Sequence, residues 1–407
     1  MEWKYIVLVG DGMGDLPIEQ LGGKTPLEVA KTPNMDRLLT LGRTGLVHTI
    51  PPGMEPGSDI ANMSLLGYDP RLYHTGRAPL EAASMGVRLE PADVAFRCNL
   101  VTLATGADGV VRMDDYSARH ITTEEARELI GALQEAVAEG PLKLYPGVSY
   151  RHLLVWAGGR ADIDATPPHD ILGESAAPYE KGYPSAPPIF AFREKAAKIL
   201  ADHPVNRARA AAGKRTANAV WLWGQGHAPS MPSLKEKYGL TGAMISAVDL
   251  LKGIGVYAGL DPVFVPGATG YLDTNYAGKV DAAIKALDGG QFVYVHIEAP
   301  DEASHEGSLE KKLAAIEAFD EKVVGPVVEG AAKFSKVRVL IAPDHLTPIV
   351  KRTHASDPAP FLLVNDLHGE ARSAAGGAGG FCERRAREEG WLLESGVKLF
   401  DLFIRGE

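Results

Sequence analysis

Three short apolar runs each lead into an aspartate, and this repetition constrains the chain more than any other feature. Tyr5-Ile6-Val7-Leu8-Val9 leads into Gly10-Asp11-Gly12. Phe292-Val293-Tyr294-Val295-His296-Ile297 leads to Asp301, with His305 four residues on. Val337-Arg338-Val339-Leu340-Ile341 leads to Asp344-His345, and His354 follows soon after. Apolar runs of this length read as buried parallel strands. Ligands of open α/β sheets bind just beyond the carboxyl ends of such strands. A single aspartate at a strand end is usually a helix cap. Carboxylates and imidazoles repeated at three strand ends are the donor set of a two-metal hydrolase or phosphotransferase site.

The chain has 407 residues, room for two domains. The expected architecture is one α/β sheet domain, with helices on both faces, interrupted by an inserted α+β domain. The core comprises 1–75 and 241–407, and the insert very roughly 76–240. In the core, Pro33–Leu39 reads as a helix started by Thr32, and a second helix begins at Ser58 after the Pro/Gly-rich loop 51–57. Ala243–Leu251 reads as helix, Val263–Val265 as a short strand, and Leu309–Val324 as one amphipathic helix. In the insert, Val94–Leu103 and Tyr150–Trp156 read as strands, and a helix capped by Thr122 runs to Leu133. Phe190–Leu200 reads as a further helix, and the tryptophans of Trp221-Leu222-Trp223 as core or interface.

Composition excludes some function classes. The net charge is −10 and there is no long basic run, which argues against a nucleic-acid or anionic-membrane partner. No apolar stretch reaches membrane-spanning length. Cys98 and Cys382 form no ligand pattern, which suits a reducing cytoplasm. The expectation is a cytoplasmic protein acting on a small phosphorylated metabolite, with oligomerisation left open.

Asp301 and His305, four residues apart, share one face of a helical turn. Asp344 and His345 are adjacent and converge only if a turn brings both to one centre. Oxygen and nitrogen donors without thiolates suit Mn, Mg, Zn or Co. Ser58 is the candidate nucleophile, because a hydroxyl at a helix start faces backbone N–H groups that bind phosphate. Cations for an anionic substrate are sought in Arg97, Arg119, Arg209 and Lys214 of the insert and in Lys279 of the core, with Arg209 and Lys214 favoured by their clustering.

These residues carry a resemblance. Val9-Gly10-Asp11-Gly12-Met13-Gly14-Asp15, Gly57-Ser58-Asp59-Ile60-Ala61-Asn62, Ala299-Pro300-Asp301-Glu302-Ala303-Ser304-His305 and Pro343-Asp344-His345 resemble the archaeal-type, 2,3-bisphosphoglycerate-independent phosphoglycerate mutases of the alkaline phosphatase superfamily. The resemblance implies an alkaline-phosphatase-like sheet with an inserted substrate domain, which acts as a lid. It implies that Ser58 is transiently phosphorylated while 3-phosphoglycerate and 2-phosphoglycerate interconvert. It implies two divalent cations (Mn, Mg, Zn or Co), one held by Asp11, Ser58, Asp344 and His345, the other by Asp301, His305 and His354. Archaeal members often carry an arginine where Trp223 stands. A bacterial branch similar in that segment is associated with homoserine phosphorylation, so a homoserine kinase-like phosphotransferase on the same metal site is the alternative.

Overall fold

In the computed structural model, which describes residues 2–371 and 379–406, the three apolar runs are adjacent strands. The strands, in chain order, are β1 (Lys4–Gly10), β2 (Arg43–Val47), β3 (Val94–Thr105), β4 (Val111–Asp115), β5 (Leu142–Tyr145), β6 (Arg151–Trp156) and β7 (Ala219–Gly226). They continue as β8 (Gly242–Ile245), β9 (Asp261–Val263), β10 (Phe292–Ile297), β11 (Val337–Ala342), β12 (Ala359–Val364) and β13 (Leu392–Leu393). The chain divides into two units, Met1–His74 with Ser230–Glu407, and Thr75–Pro229.

The first unit is built on one sheet in the order β13-β2-β12-β11-β1-β10-β8-β9. β11, β1, β10, β8 and β9 run parallel, while β12 is antiparallel to both β11 and β2. The carboxyl ends of β11, β1 and β10 therefore lie side by side. Both faces are covered, as continuous apolar strands require. Ile6, Leu8, Val293, Val295, Val339 and Ile341 point to one face, against Met35, Leu38, Val280, Ala283, Ile316 and Phe319 from helices. Tyr5 and Phe292, on the opposite face, meet Phe403 and Phe400 of the helix Gly396–Arg405 edge-on. Each such buried side chain contributes about 1.5–3 kcal/mol of transfer free energy.

Three elements differ from the sequence expectation. Ala243–Leu251 is split, with Gly242–Ile245 forming β8 and a helix following only at Asp249–Tyr257. A short apolar run carries no period that separates strand from helix, and here pairing with β10 decides. The edge strand is Asp261–Val263, and Phe264, expected inside it, is 80% exposed. Leu309–Val324 is an α-helix only to Phe319, then a π-helical turn over Asp320–Val324. That turn brings the buried Asp320 carboxylate to the backbone N–H groups of Asn34 and Met35, at 3.1 and 2.8 Å. Asp320 thereby caps the helix Pro33–Leu41, whose own Thr32 makes no cap hydrogen bond. The chain re-enters the first unit at Ser230, ahead of the expected 241. Tyr68 donates to the Pro232 carbonyl, and Lys237 to that of Gly67, which ties residues 232–237 to this unit.

The second unit, by itself, is an antiparallel sheet in which β3 pairs with β4, β6 and β7, and β6 with β5. The helices Thr123–Val137, Pro187–Asp202 and Pro204–Ala211 cover one face through Leu129, Leu133, Ile189, Phe192 and Leu200, packed on Phe96, Leu154 and Leu222. The first of them starts with a reciprocal capping box between Thr122 and Glu125. Trp221 and Trp223, alternating with Leu222, face the other side and pack with Val101, Met113 and Ile171, so both are core residues.

Candidate active site

The loops that leave β1, β10 and β11 each deliver an aspartate. Asp11 follows β1 directly and Asp344 follows β11 after Pro343. Asp301 sits in the first turn of the helix Ala299–His305, and His305 closes that helix on the same face. Gly12 lets the first loop turn back. Its φ of +57° suits glycine, and a Cβ there would lie 2.5 Å from both Asp301 Oδ1 and Thr347 Oγ1. Below the loops, Lys312 is fully buried and ties them together. Its ammonium donates to Asp15 Oδ2 at 2.8 Å and to the carbonyls of Gly14 and Thr347 at 3.1 and 2.9 Å.

Two donor groups result. Asp11, Asp344 and His345 form one, and Asp301, His305 and His354 the other; the donor atoms of each lie within 4.8 Å of one another. In the first, His345 Nε2 is 3.6 Å from both Asp11 Oδ1 and Asp344 Oδ2. In the second, His305 Nε2 is 3.1 Å from Asp301 Oδ2, and His354 Nε2 is 3.6 Å from Asp301 Oδ1. The groups adjoin, for the rings of His345 and His354 have centroids 4.1 Å apart. Ser58 is the first residue of the helix Ser58–Leu65, with Gly57 as its N-cap, and its hydroxyl lies 3.3 Å from His345 Nε2. The first-turn N–H groups of any helix have no intrahelical acceptor and favour an anion. All seven residues singled out from the sequence as ligands or nucleophile thus share one locality.

The hydrogen bonding around them fits metal ions. His305 Nδ1 faces the Arg352 carbonyl at 3.0 Å and His354 Nδ1 faces that of Pro56 at 3.3 Å. A carbonyl only accepts, so each Nδ1 carries a proton, and Nε2 is the ring atom turned inward, the one free to ligate a cation once it gives up any proton it holds. The Thr347 hydroxyl donates to Asp301 Oδ1 at 2.5 Å and so accepts from His345 Nδ1, 3.2 Å away, with the same outcome. Three imidazole Nε2 atoms then converge with three carboxylates, and His305 and His354 bring theirs within 3.1 Å of each other. Asp11 Oδ1 is buried with no hydrogen-bond partner. This arrangement needs positive charge at its centre.

The acidities express the same need. Burial raises Asp11 well above the ordinary carboxylate range, and Asp344, Asp301 and Glu298 push it further. The bond to Asp301 lifts His305 to about 9 against the effect of burial. Burial raises Asp301 too, but its bonds to His305 and His354 outweigh that and hold it well below the usual range. The shifts of Asp11 and His305 both reduce the negative surplus, while Asp301 stays ionised between its two histidines.

The five candidate substrate cations are placed very differently. Arg209 is buried and its donors are spent on the Glu125 carboxylate and the carbonyls of Ala118 and Arg215. Arg97 pairs with Glu81 at 3.1 Å and lies 4.0 Å over the Trp223 ring. Lys279 is fully buried, its ammonium 3.2 Å from the His296 carbonyl. Arg119 and Lys214 are exposed. Arg119 stands in a run of three residues, Ala118, Arg119 and His120, all with φ near +50°. That left-handed conformation costs non-glycine residues roughly 1–2 kcal/mol each. It is held by the Arg209 bond to the Ala118 carbonyl and by Ser117, whose hydroxyl accepts the His120 N–H at 3.1 Å. Backbone strain held by its surroundings is characteristic of ligand sites.

Sequence reasoning passed over Asn62, Tyr294, His296 and Thr347, all around the two donor groups. His296 Nε2 is 3.0 Å from Asp11 Oδ2, and burial holds this histidine down to about 3, hence neutral. Spacing could have pointed to some of them: Asn62 is one helical turn beyond Ser58, and Tyr294 and His296 lie two apart on one face of β10.

Comparison with known proteins gives a consistent result. A family model described as 2,3-bisphosphoglycerate-independent phosphoglycerate mutase matches residues 40–206. A Geobacter sulfurreducens protein named as a probable 2,3-bisphosphoglycerate-independent phosphoglycerate mutase is 52% identical over 401 residues, covering 98% of this chain and 99% of its own. A Methanothrix thermoacetophila protein named as the same mutase is 52% identical over 404 residues, covering 99% of this chain and 100% of its own. Among solved structures, a Pyrococcus horikoshii protein superposes with a TM-score of 0.82 at 29% identity, covering 100% of this chain and 99% of that one. The cofactor-independent phosphoglycerate mutase of Thermoplasma acidophilum gives 0.64 at 28% identity, with 99% of each chain covered.

Proposed function

Since the chain belongs to the family of 2,3-bisphosphoglycerate-independent phosphoglycerate mutases, we propose that it interconverts 3-phosphoglycerate and 2-phosphoglycerate through a phosphoserine at Ser58. The observation that carries this reading is the set of three inward imidazole Nε2 atoms and three carboxylates beside one helix-start hydroxyl. Asp11, Asp344, His345 and Ser58 would hold one divalent cation, and Asp301, His305 and His354 a second. When bound, such ions (Mn, Mg, Zn or Co) supply acidification of the serine hydroxyl and neutralisation of charge on the phosphoryl group.

Ser58 Oγ attacks phosphorus as the P–O3 bond breaks, so the serine proton is lost and the departing O3 gains one. Glycerate is retained and turned. Its O2 then attacks the phosphoserine, the P–Oγ bond breaks, and Ser58 recovers its proton. The first-turn N–H groups of the Ser58 helix orient the phosphoryl oxygens. Water must be kept from the phosphoserine, or the enzyme becomes a phosphatase. In this reading Arg119 and Lys214, the two exposed members of the five candidate cations, are available to the substrate's anionic groups.

Among the described residues no helix is long and apolar enough to cross a membrane. The homoserine kinase-like alternative rested on Trp223, which is a core residue whose indole N–H is 3.1 Å from Asn99 Oδ1. The deciding experiment follows 3-phosphoglycerate by phosphorus NMR with added Mn²⁺, beside a parallel reaction of homoserine with ATP. Appearance of 2-phosphoglycerate in the first alone is expected. Ser58→Ala should lower turnover by about 10⁴-fold or more while leaving the circular dichroism unchanged. Full turnover in that variant would refute the phosphoserine route.

A further inference from the structure

We propose that Asn62 is a positioning residue that clamps the helix bearing Ser58 to Asp344, and that Tyr294 holds its amide in place by donating to its oxygen. The inference rests on the reading of Ser58 as nucleophile and Asp344 as ligand. Asn62 is fully buried one turn beyond Ser58. Its Nδ2 donates to the Ser58 carbonyl at 2.8 Å and to Asp344 Oδ2 at 2.7 Å. Its Oδ1 accepts from the Tyr294 hydroxyl at 2.6 Å. Turned over, the amide would set its oxygen against two acceptors, one of them a carboxylate, and lose both bonds. The three partners therefore admit one orientation.

Asp344 collects its donors from three separate segments. Oδ1 takes the N–H groups of Gly12 and His345 at 3.1 and 2.8 Å, and Oδ2 takes Asn62. Only the Asn62 bond joins this carboxylate to the nucleophile's helix, by the same NH₂ group that holds the Ser58 backbone. Asp11, its counterpart, has His296 Nε2 3.0 Å from Oδ2 but no donor on Oδ1. Both oxygens of one carboxylate are thus fixed by the protein, and one oxygen of the other is left for a cation to fix. Because Asn62 has no exposed surface, it acts through Ser58 and Asp344 and does not touch substrate.

Asn62→Leu keeps volume and removes the clamp; Tyr294→Phe keeps the amide and removes only the hydroxyl that holds its oxygen. Metal-free wild type and both variants are titrated with Mn²⁺ by calorimetry, and kcat and KM for 3-phosphoglycerate are measured in parallel. In Asn62→Leu one Mn²⁺ should weaken by about 10–100-fold and the other bind as before. Its kcat should fall by roughly 100-fold with KM unchanged, the mark of an interaction used only in the transition state. Tyr294→Phe should shift the same two quantities by about 3–10-fold. Wild-type isotherms and kcat in Asn62→Leu overturn the proposal, as does equal weakening of both ions. If Asn62→Leu fails to fold, Tyr294→Phe decides, and wild-type values there overturn it. A wild-type protein that binds Mn²⁺ but turns over no phosphoglycerate removes the mutase reading instead, and the isotherms still test the clamp.

Discussion

The charged groups at the strand ends of the first unit and Arg209 inside the second unit are buried alike yet balanced in opposite ways. Around Asp11, Asp301 and Asp344 three carboxylates crowd together, and Asp11 Oδ1 has no partner. Each of the three Arg209 side-chain nitrogens meets an acceptor of the same unit. Lys312, fully buried in the first unit, is likewise matched by Asp15 and two carbonyls. A saturated buried charge is architecture, because removing it exposes a partner to an apolar interior. A buried surplus of one sign is a request for a ligand of the other sign. Burial alone does not separate the two cases; the count of donors against acceptors does.

The comparison can be broken most sharply at Asp11. Asp11→Asn removes charge without changing size, and it should cut turnover by on the order of 10³-fold or more, because one donor group loses an anionic ligand. Thermal unfolding without metal should rise or hold steady in this variant, since burial and the neighbouring Asp344 and Asp301 already oppose the Asp11 charge. A large fall in metal-free stability would show that the cluster is a structural network after all.

Next in size is the acid response of the second unit. His152 is buried on β6, its Nδ1 accepting the Gly147 N–H at 3.0 Å, and burial lowers its pKa from 6.5 to about 3. The folded pKa is depressed, so between these values the unfolded chain holds the extra proton. The stability that His152 confers is complete above about pH 6.5 and drains as pH falls toward 3, by roughly 5 kcal/mol at most. Urea midpoints measured from about pH 7 to about pH 4 should fall less steeply in His152→Asn, whose Oδ1 can still accept from Gly147. Equal slopes would remove His152 from the acid response.

Arg209→Met tests the saturated side directly. It should destabilise by about 2–3 kcal/mol, below the value for a fully buried pair because Glu125 keeps some solvent. KM should stay within about twofold once the protein is folded. The smallest expected effect is at Arg119: Arg119→Ala should raise KM about tenfold with the thermal midpoint unchanged. A reversal, with Arg209 setting KM and Arg119 setting stability, would invert the assignment of ligand-binding and structural cations.

The candidate site was legible in the sequence to the extent that its signals were local. Asp11, Asp301 and Asp344 follow apolar runs, His305 lies a helical turn from Asp301, and Ser58 follows a Pro/Gly-rich loop. Each is visible within a window of a few residues. The helix–strand error at Ala243–Leu251 arose where the window held no period. The substrate cations could not be sorted from sequence for a different reason: Arg209 and Arg119 are both arginines among small or polar neighbours, and nothing nearby in sequence shows that Glu125, 84 positions from Arg209, neutralises one of them.

By itself the amino-acid order determined where the parallel strands end, which residue types stand there, and so the kind of chemistry the sheet can host. Strand ends and helix starts follow from short-range hydrophobic pattern and backbone capping, which a stretch of sequence carries within itself. The tertiary structure alone decided which charges are left over. Whether a buried donor or acceptor is satisfied depends on partners brought together by the fold. Asn62, Tyr294 and Asp344 meet from three distant segments, and the bonds that orient each inward imidazole come from carbonyls or a hydroxyl whose placement only the folded chain fixes.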